Sequence, residues 1–171
     1  AMCGLCLTGD LFNLFVWFEL MTAAGVTLCG YKSSESSPLQ GALNFAVPNT
    51  IGAFMTLMGI GLVYAFTGTL NMAAAGGSLR AHDAGSLALI ALLLVSAGFL
   101  VKSALAPFHF WLADAHAVAP SPVSVMFSGV MVELGLFAVW RGYWGVFAGA
   151  PEAPESAVRT LLLLVGTVTT V

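Results

Sequence analysis

Residues 87–122 read LALIALLLVSAGFLVKSALAPFHFWLADAHAVAPSP. The apolar run that opens this stretch starts at Ser86, continues to Ala106 and holds one charge, Lys102. A helix crossing the hydrocarbon core of a bilayer, about 30 Å, needs roughly 20 such residues. Pro107 then removes an N–H and sets its ring against the carbonyl four residues back. A helix entering from Val101 is therefore expected to break or kink near Pro107. The carbonyls freed by that break lie just past Lys102, at the negative end of a half-helix dipole. Two readings stay open at this point. One is a broken helix beside an intramembrane charge, an arrangement that transporters use to handle ions. The other is a helix that simply ends at the interface, with Trp111 in the aromatic belt.

The rest of the chain has the same character. Of its 171 residues, 59% are hydrophobic and 8% charged; five Lys+Arg against eight Asp+Glu leave a formal charge of −3. Mean hydropathy is +0.96. Soluble domains carry about 25% charged residues, so this composition excludes a soluble enzyme and a disordered tail. The lack of a basic patch excludes a nucleic-acid partner. Four more apolar segments cover residues 5–29, 40–67, 123–143 and the chain from about 158 onward. They lack the period-2 alternation of a membrane barrel, and helices are the other structure that satisfies its own backbone in lipid. The expectation is an all-α, polytopic bundle of about five transmembrane helices forming one domain over 1–171, the third helix broken near Pro107. Gly and Ala scattered through every segment suit close helix packing.

The connecting stretches are polar. Residues 31–38 read YKSSESSP, 71–85 are small and Gly-rich with Arg80, His82 and Asp83, and 149–156 carry two prolines and two acids. Cys3, Cys6 and Cys29 are an odd number and give no disulfide framework. No basic region precedes the first apolar run, so it does not read as a signal peptide. The last segment is still apolar at Val171, which reads as a fragment truncated at both ends. Alternating loops put Lys32 on one side and Arg80, Arg141 and Arg159 on the other; the excess of basic residues favours a cytoplasmic second side.

Three ionisable residues fall inside the apolar segments: Glu19, Lys102 and Glu133. Each costs about 2.5–3.5 kcal/mol at a helix centre on insertion scales. They must face the bundle interior, pair with one another, or contact water. A Glu–Lys pair can be a structural lock between helices. It can equally be a proton path, because burial and a nearby opposite charge act on protonation in opposite senses and small movements then shift it. Two acids against one lysine leave a negative charge over, which favours a retained proton or a bound cation. His109 and His116, seven apart, lie two turns apart on one helical face, with Asp114 between them. An intramembrane metal-dependent enzyme using these three is an alternative, but zinc sites want closer spacing, as in H-E-x-x-H. A histidine in a proton path fits better, since its ordinary pKa lies near neutrality. No haem or iron–sulfur ligand set is present, so no redox cofactor is expected. His82 reads as solvated, and Phe12, Phe15, Trp17 and Phe18 as facing lipid or neighbouring helices. Asp10 and Asn13 read as capping or lumen-facing, and Arg141 as snorkelling to the headgroups.

GDLFNLFVWFEL at 9–20, TGTLNMAA at 67–74 and KSALAPFHFWLADAHAVAPSPVS at 102–124 together resemble one family. It comprises the proton-conducting antiporter-like subunits: the D-type members of Mrp-type sodium/proton antiporters, and their counterparts in respiratory complex I and in membrane-bound hydrogenases. The resemblance runs from Gly9 to about Arg141. It implies the middle of a protein of roughly fourteen helices, close to the first of two inverted five-helix repeats. By resemblance, Glu19 falls on the acidic residue of the family's helix five and Lys102 on the lysine of its broken helix seven. In the family these form the charge pair whose approach or separation couples proton movement to a neighbouring subunit. His109, Asp114 and His116 fall in the motif after the break, together with Pro107. Glu133 departs, lying where many members carry a lysine. A glutamate there pairs with Lys102 or binds a cation, which changes the relay or the ion moved. The implied function is a proton-translocating subunit of a multi-subunit complex in the cell membrane, without catalytic chemistry of its own. Its expected partners are other membrane subunits, lipid, protons and, in an antiporter, Na⁺.

Overall fold

The computed structural model describes residues 1–32, 34–82, 85–150 and 155–170. Asp83 and residues 151–154 lie outside them. Each of the five apolar segments is helical. We label the helices α1 (Met2–Leu7), α2 (Leu11–Cys29), α3 (Ser36–Thr67), α4 (Met72–Ala81), α5 (Ser86–Lys102), α6 (Phe110–Val118), α7 (Ser121–Phe147) and α8 (Glu155–Thr170). Helices α2, α3 and α7 are each long and apolar enough to cross a membrane, while α5 and the Val158–Thr170 part of α8 are shorter apolar helices. The 32 residues of α3 extend over roughly 48 Å at 1.5 Å per residue, more than one hydrocarbon thickness, so tilt or protrusion must absorb the excess. In α7 the α-helical pattern loosens to π-helix at Phe127–Met131 and Tyr143–Phe147.

The first apolar segment is two helices, not one. Asp10 stops α1 from running on: its carboxylate accepts the Asn13 N–H at 2.8 Å and caps α2. The 71–85 stretch, expected as a loop, contains α4, capped in the same way by Asn71, which accepts from Ala74 N–H at 3.1 Å. The two caps are stitched together. Leu11 N–H bonds the Leu70 carbonyl at 2.8 Å and Met72 N–H bonds the Gly9 carbonyl at 2.9 Å. This Asp10–Asn71 bridge is an isolated one. It places the starts of α2 and α4 at one end of the bundle. Gly68 makes the turn into this clip with φ +69°, its N–H bonding the Tyr64 carbonyl, a left-handed helix stop.

At the centre α3 packs on α5, and α2, α6 and α7 close around them. Small residues make the α3–α5 seam. A Cβ on Gly59 would stand 2.9 Å from the Ala91 carbonyl oxygen, and one on Gly52 would stand 3.2 Å from that of Gly98. Backbone approach of this kind is how membrane helices gain packing without a hydrophobic drive between them. Arg141 does not snorkel. It is half-buried, donates to the Cys6 carbonyl at the end of α1 and lies 5.8 Å from the Phe137 ring centroid.

Candidate functional site

Helix α5 ends at Lys102, and regular helix resumes at Phe110. Between them Ser103 N–H reaches back to Phe99, Ala104 takes φ +49°, and Phe108 N–H closes a turn on Leu105 at 2.7 Å. The break expected near Pro107 is therefore present. The Val101 carbonyl at the break takes two donors, Ala104 N–H at 3.1 Å and Trp111 Nε1 at 2.9 Å. Trp111 is fully buried and stacks on Phe45 of α3 with centroids 4.7 Å apart. It is a core residue, not part of an aromatic belt.

Lys102 has no exposed surface. Its ammonium donates to Thr22 Oγ1 on α2 at 2.8 Å and lies 5.1 Å from the ring centroids of both Phe18 and Phe45. Both rings are within the distance at which an aromatic face attracts a cation. Thr22 in turn donates to the Phe18 carbonyl at 3.0 Å. Glu19, one turn before Thr22 on α2, is half-buried; its Oε1 is shielded from solvent and has no hydrogen-bond partner. Glu19 and Lys102 interact electrostatically. The sequence thus pairs two residues, and the structure brings them into one neighbourhood with a hydroxyl beside the lysine.

The other expected site residues are spread more widely. His116 is half-buried, its ring 6.2 Å from that of Phe127, which itself lies 5.4 Å from Phe45. A chain of ring contacts, His116 to Phe127 to Phe45, thus links His116 to the wall of the Lys102 site. His109 is exposed at the start of α6, where its side chain makes no capping bond. Asp114 is exposed and accepts a 2.8 Å hydrogen bond from Asn44 Nδ2, tying α6 to α3. Glu133 lies on the exposed face of α7. Gly135 faces α5, against Phe99 and Ser103; two residues away is about 200° around a helix. Glu133 is therefore not brought to Lys102. Among the described residues no three His, Cys, Asp or Glu side chains form a group able to hold a metal ion. His109, Asp114 and His116 do not converge.

Sequence reasoning missed Thr22, Phe45, Trp111 and Asn49. Asn49 is fully buried beside Pro48, donates to the Phe45 carbonyl at 2.9 Å and leaves its Oδ1 without a partner. Thr22 had a readable signal, since three residues from Glu19 is the same helical face. The aromatics had none in a chain this apolar.

Residues 8–171 match the family described as NADH:quinone oxidoreductase/Mrp antiporter, transmembrane. The chain belongs to this family. It is 35% identical over 159 residues to NADH-quinone oxidoreductase subunit N of Desulforudis audaxviator, covering 92% of the chain and 31% of that protein. It is 36% identical over 170 residues to the D-type member of a probable K⁺/H⁺ antiporter of Rhizobium meliloti, covering 97% of the chain and 31% of that protein. Among solved structures, a chain of the membrane-bound sulfane sulfur reductase, an archaeal respiratory membrane complex, superposes with a TM-score of 0.88 at 30% identity. The match covers 98% of this family member and 33% of that chain. The chain thus spans about a third of the length of these relatives. Family membership accords with the multi-pass helical fold.

Proposed function

We propose that this chain is the part of a membrane-embedded, proton-translocating subunit that carries the buried proton-exchange site. The subunit works in a multi-subunit cation/proton antiporter or a related NADH-quinone oxidoreductase or hydrogenase complex. The observation that carries the reading is Lys102, a fully enclosed ammonium whose direct hydrogen bond goes to a neutral hydroxyl, with a partnerless carboxylate oxygen on the same face of α2. Charge in a low-dielectric interior is expensive, and a structural lock would close the ion pair fully. An open pair is suited to exchange: a proton leaves Nζ for the Glu19 carboxylate, giving a neutral amine and a neutral acid, and returns when the local field reverses. Glu133, His109 and His116 stand apart from the pair; in this reading they serve proton entry and exit, and Asp114, bonded to Asn44 of α3, and Pro107 support the broken segment. The subunit lies in the plasma membrane, its partners are other membrane subunits, lipid and protons, and Na⁺ or another cation is the exchanged ion in an antiporter. The full-length protein in its complex, reconstituted into vesicles with a pH-sensitive dye, tests this. Lys102→Ala and Glu19→Ala are each expected to abolish proton movement with the complex still assembled. Full transport by both variants would leave the pair a structural lock.

A further inference from the structure

We infer that Thr22 is a positioning residue: its hydroxyl is the resting acceptor of the Lys102 ammonium and holds it one helical turn from Glu19, keeping the charge pair open. The inference rests on the proton-exchange reading above. Its geometry is local and specific. A hydroxyl has one donor and two acceptor sites. The Thr22 proton is committed to the Phe18 carbonyl at 3.0 Å, so the lone pairs of Oγ1 face Lys102 Nζ at 2.8 Å. That back-bond and the β-branch of threonine restrict its rotamer, so the acceptor is fixed in place. Three residues separate Thr22 from Glu19, which is about 4.5 Å along the helix axis. The rings of Phe18 and Phe45 flank the ammonium at 5.1 Å each and hold it without accepting a proton. Among the described residues, Glu19 is the charged side chain that interacts with Lys102. Helix α3 carries no charged residue. His116 sets its ring against Phe127, Arg141 is bonded to the Cys6 carbonyl, and Glu133 is on the exposed face of α7. Without the hydroxyl, Glu19 is the strongest acceptor left, and the pair closes.

The test uses the full-length protein in its complex in vesicles, with rates normalised to assembled complex. Thr22→Val keeps the shape and loses the acceptor. It is expected to slow proton movement several-fold and to shift the pH of half-maximal rate by about one unit, the size of a lost hydrogen bond to a charged group. Thr22→Ser is expected to restore both rate and profile. If Thr22→Val assembles poorly, Thr22→Ala carries the same expectation. A hydroxyl-free variant with the parent rate and pH profile overturns the inference when Lys102→Ala is inactive in the same assay. A Thr22→Ser variant that behaves like Thr22→Val also overturns it. An active Lys102→Ala overturns the proton-exchange reading beneath it.

Discussion

Trp111 Nε1 donates to the carbonyl oxygen of Val101 across 2.9 Å, from the first turn after the helix break to the last turn before it. A helix end in lipid leaves carbonyls that need partners, and here an indole ten residues further on supplies one. The same ring stacks on Phe45, which flanks Lys102. One side chain therefore caps α5, anchors α6 and backs the wall of the lysine site. Trp111→Phe keeps the stacking surface and removes the donor. It is expected to lower the stability of the detergent-purified protein by about 1 kcal/mol, at the low end of the range because Val101 O also accepts from Ala104 N–H. Trp111→Ala also loses the packing and is expected to cost about 3–5 kcal/mol. Equal unfolding curves for Trp111→Phe and the parent would mean that the indole bond does not hold the break.

The α3–α5 seam makes an opposite prediction for two glycines. A Cβ on Gly98 would fall on Thr56 Oγ1 and the Gly52 backbone, whereas one on Gly61 meets nothing within 4 Å. The obstacle at Gly98 includes backbone, which cannot rotate away, and overpacking of this kind costs about 1–3 kcal/mol. Gly98→Ala is expected to lower the yield of folded protein and its thermal midpoint. Gly61→Ala is expected to leave both unchanged or slightly raised, since alanine is the better helix former. The two variants differ by the same methyl group, so comparing their melting curves isolates the seam.

The clip between α2 and α4 predicts coupling. Asp10 and Asn71 each cap a helix, at 2.8 and 3.1 Å, and their neighbours bond across the gap. Asp10→Ala and Asn71→Ala are each expected to cost about 1 kcal/mol. The double variant is expected to cost less than the sum, because loss of either cap loosens the shared clip. Chemical unfolding of the four proteins measures this; strict additivity would show two independent helix starts.

What could be read without coordinates follows from what lipid penalises. Charge in oil is costly, so Glu19 and Lys102 stood out, and the structure brings them into one neighbourhood. Proline cannot continue a helix, so the break near Pro107 was legible. The inner face was not. In a helix apolar all round, periodicity separates core from lipid poorly. Thus Phe18, Phe45 and Trp111, all fully buried, look no different in sequence from the exposed Phe12, Phe54 and Trp140. Helix α4 was hidden by its glycines and polar flanks, although Asn71 followed by MAAA is a capping residue before good helix formers.

Glu133 is where sequence and structure part most clearly, and it gives a direct comparison. As a second acid in a span it looked like a partner for Lys102. The structure turns Gly135 toward α5 and leaves Glu133 on the exposed face of α7, while Glu19 interacts with the lysine. Groups that share a site show interaction energies of about 0.5–3 kcal/mol in double-mutant cycles, and independent ones add to within about 0.3–0.5 kcal/mol. A stability cycle of Glu19→Gln with Lys102→Met is expected to fall in the first range, and one of Glu133→Gln with Lys102→Met in the second. The methionine keeps the length of the lysine stem between Phe18 and Phe45, so the cycle reads charge rather than lost packing. Comparable coupling in the two cycles would place Glu133 at Lys102 after all, and would require α7 to rotate from the orientation that Gly135 gives it.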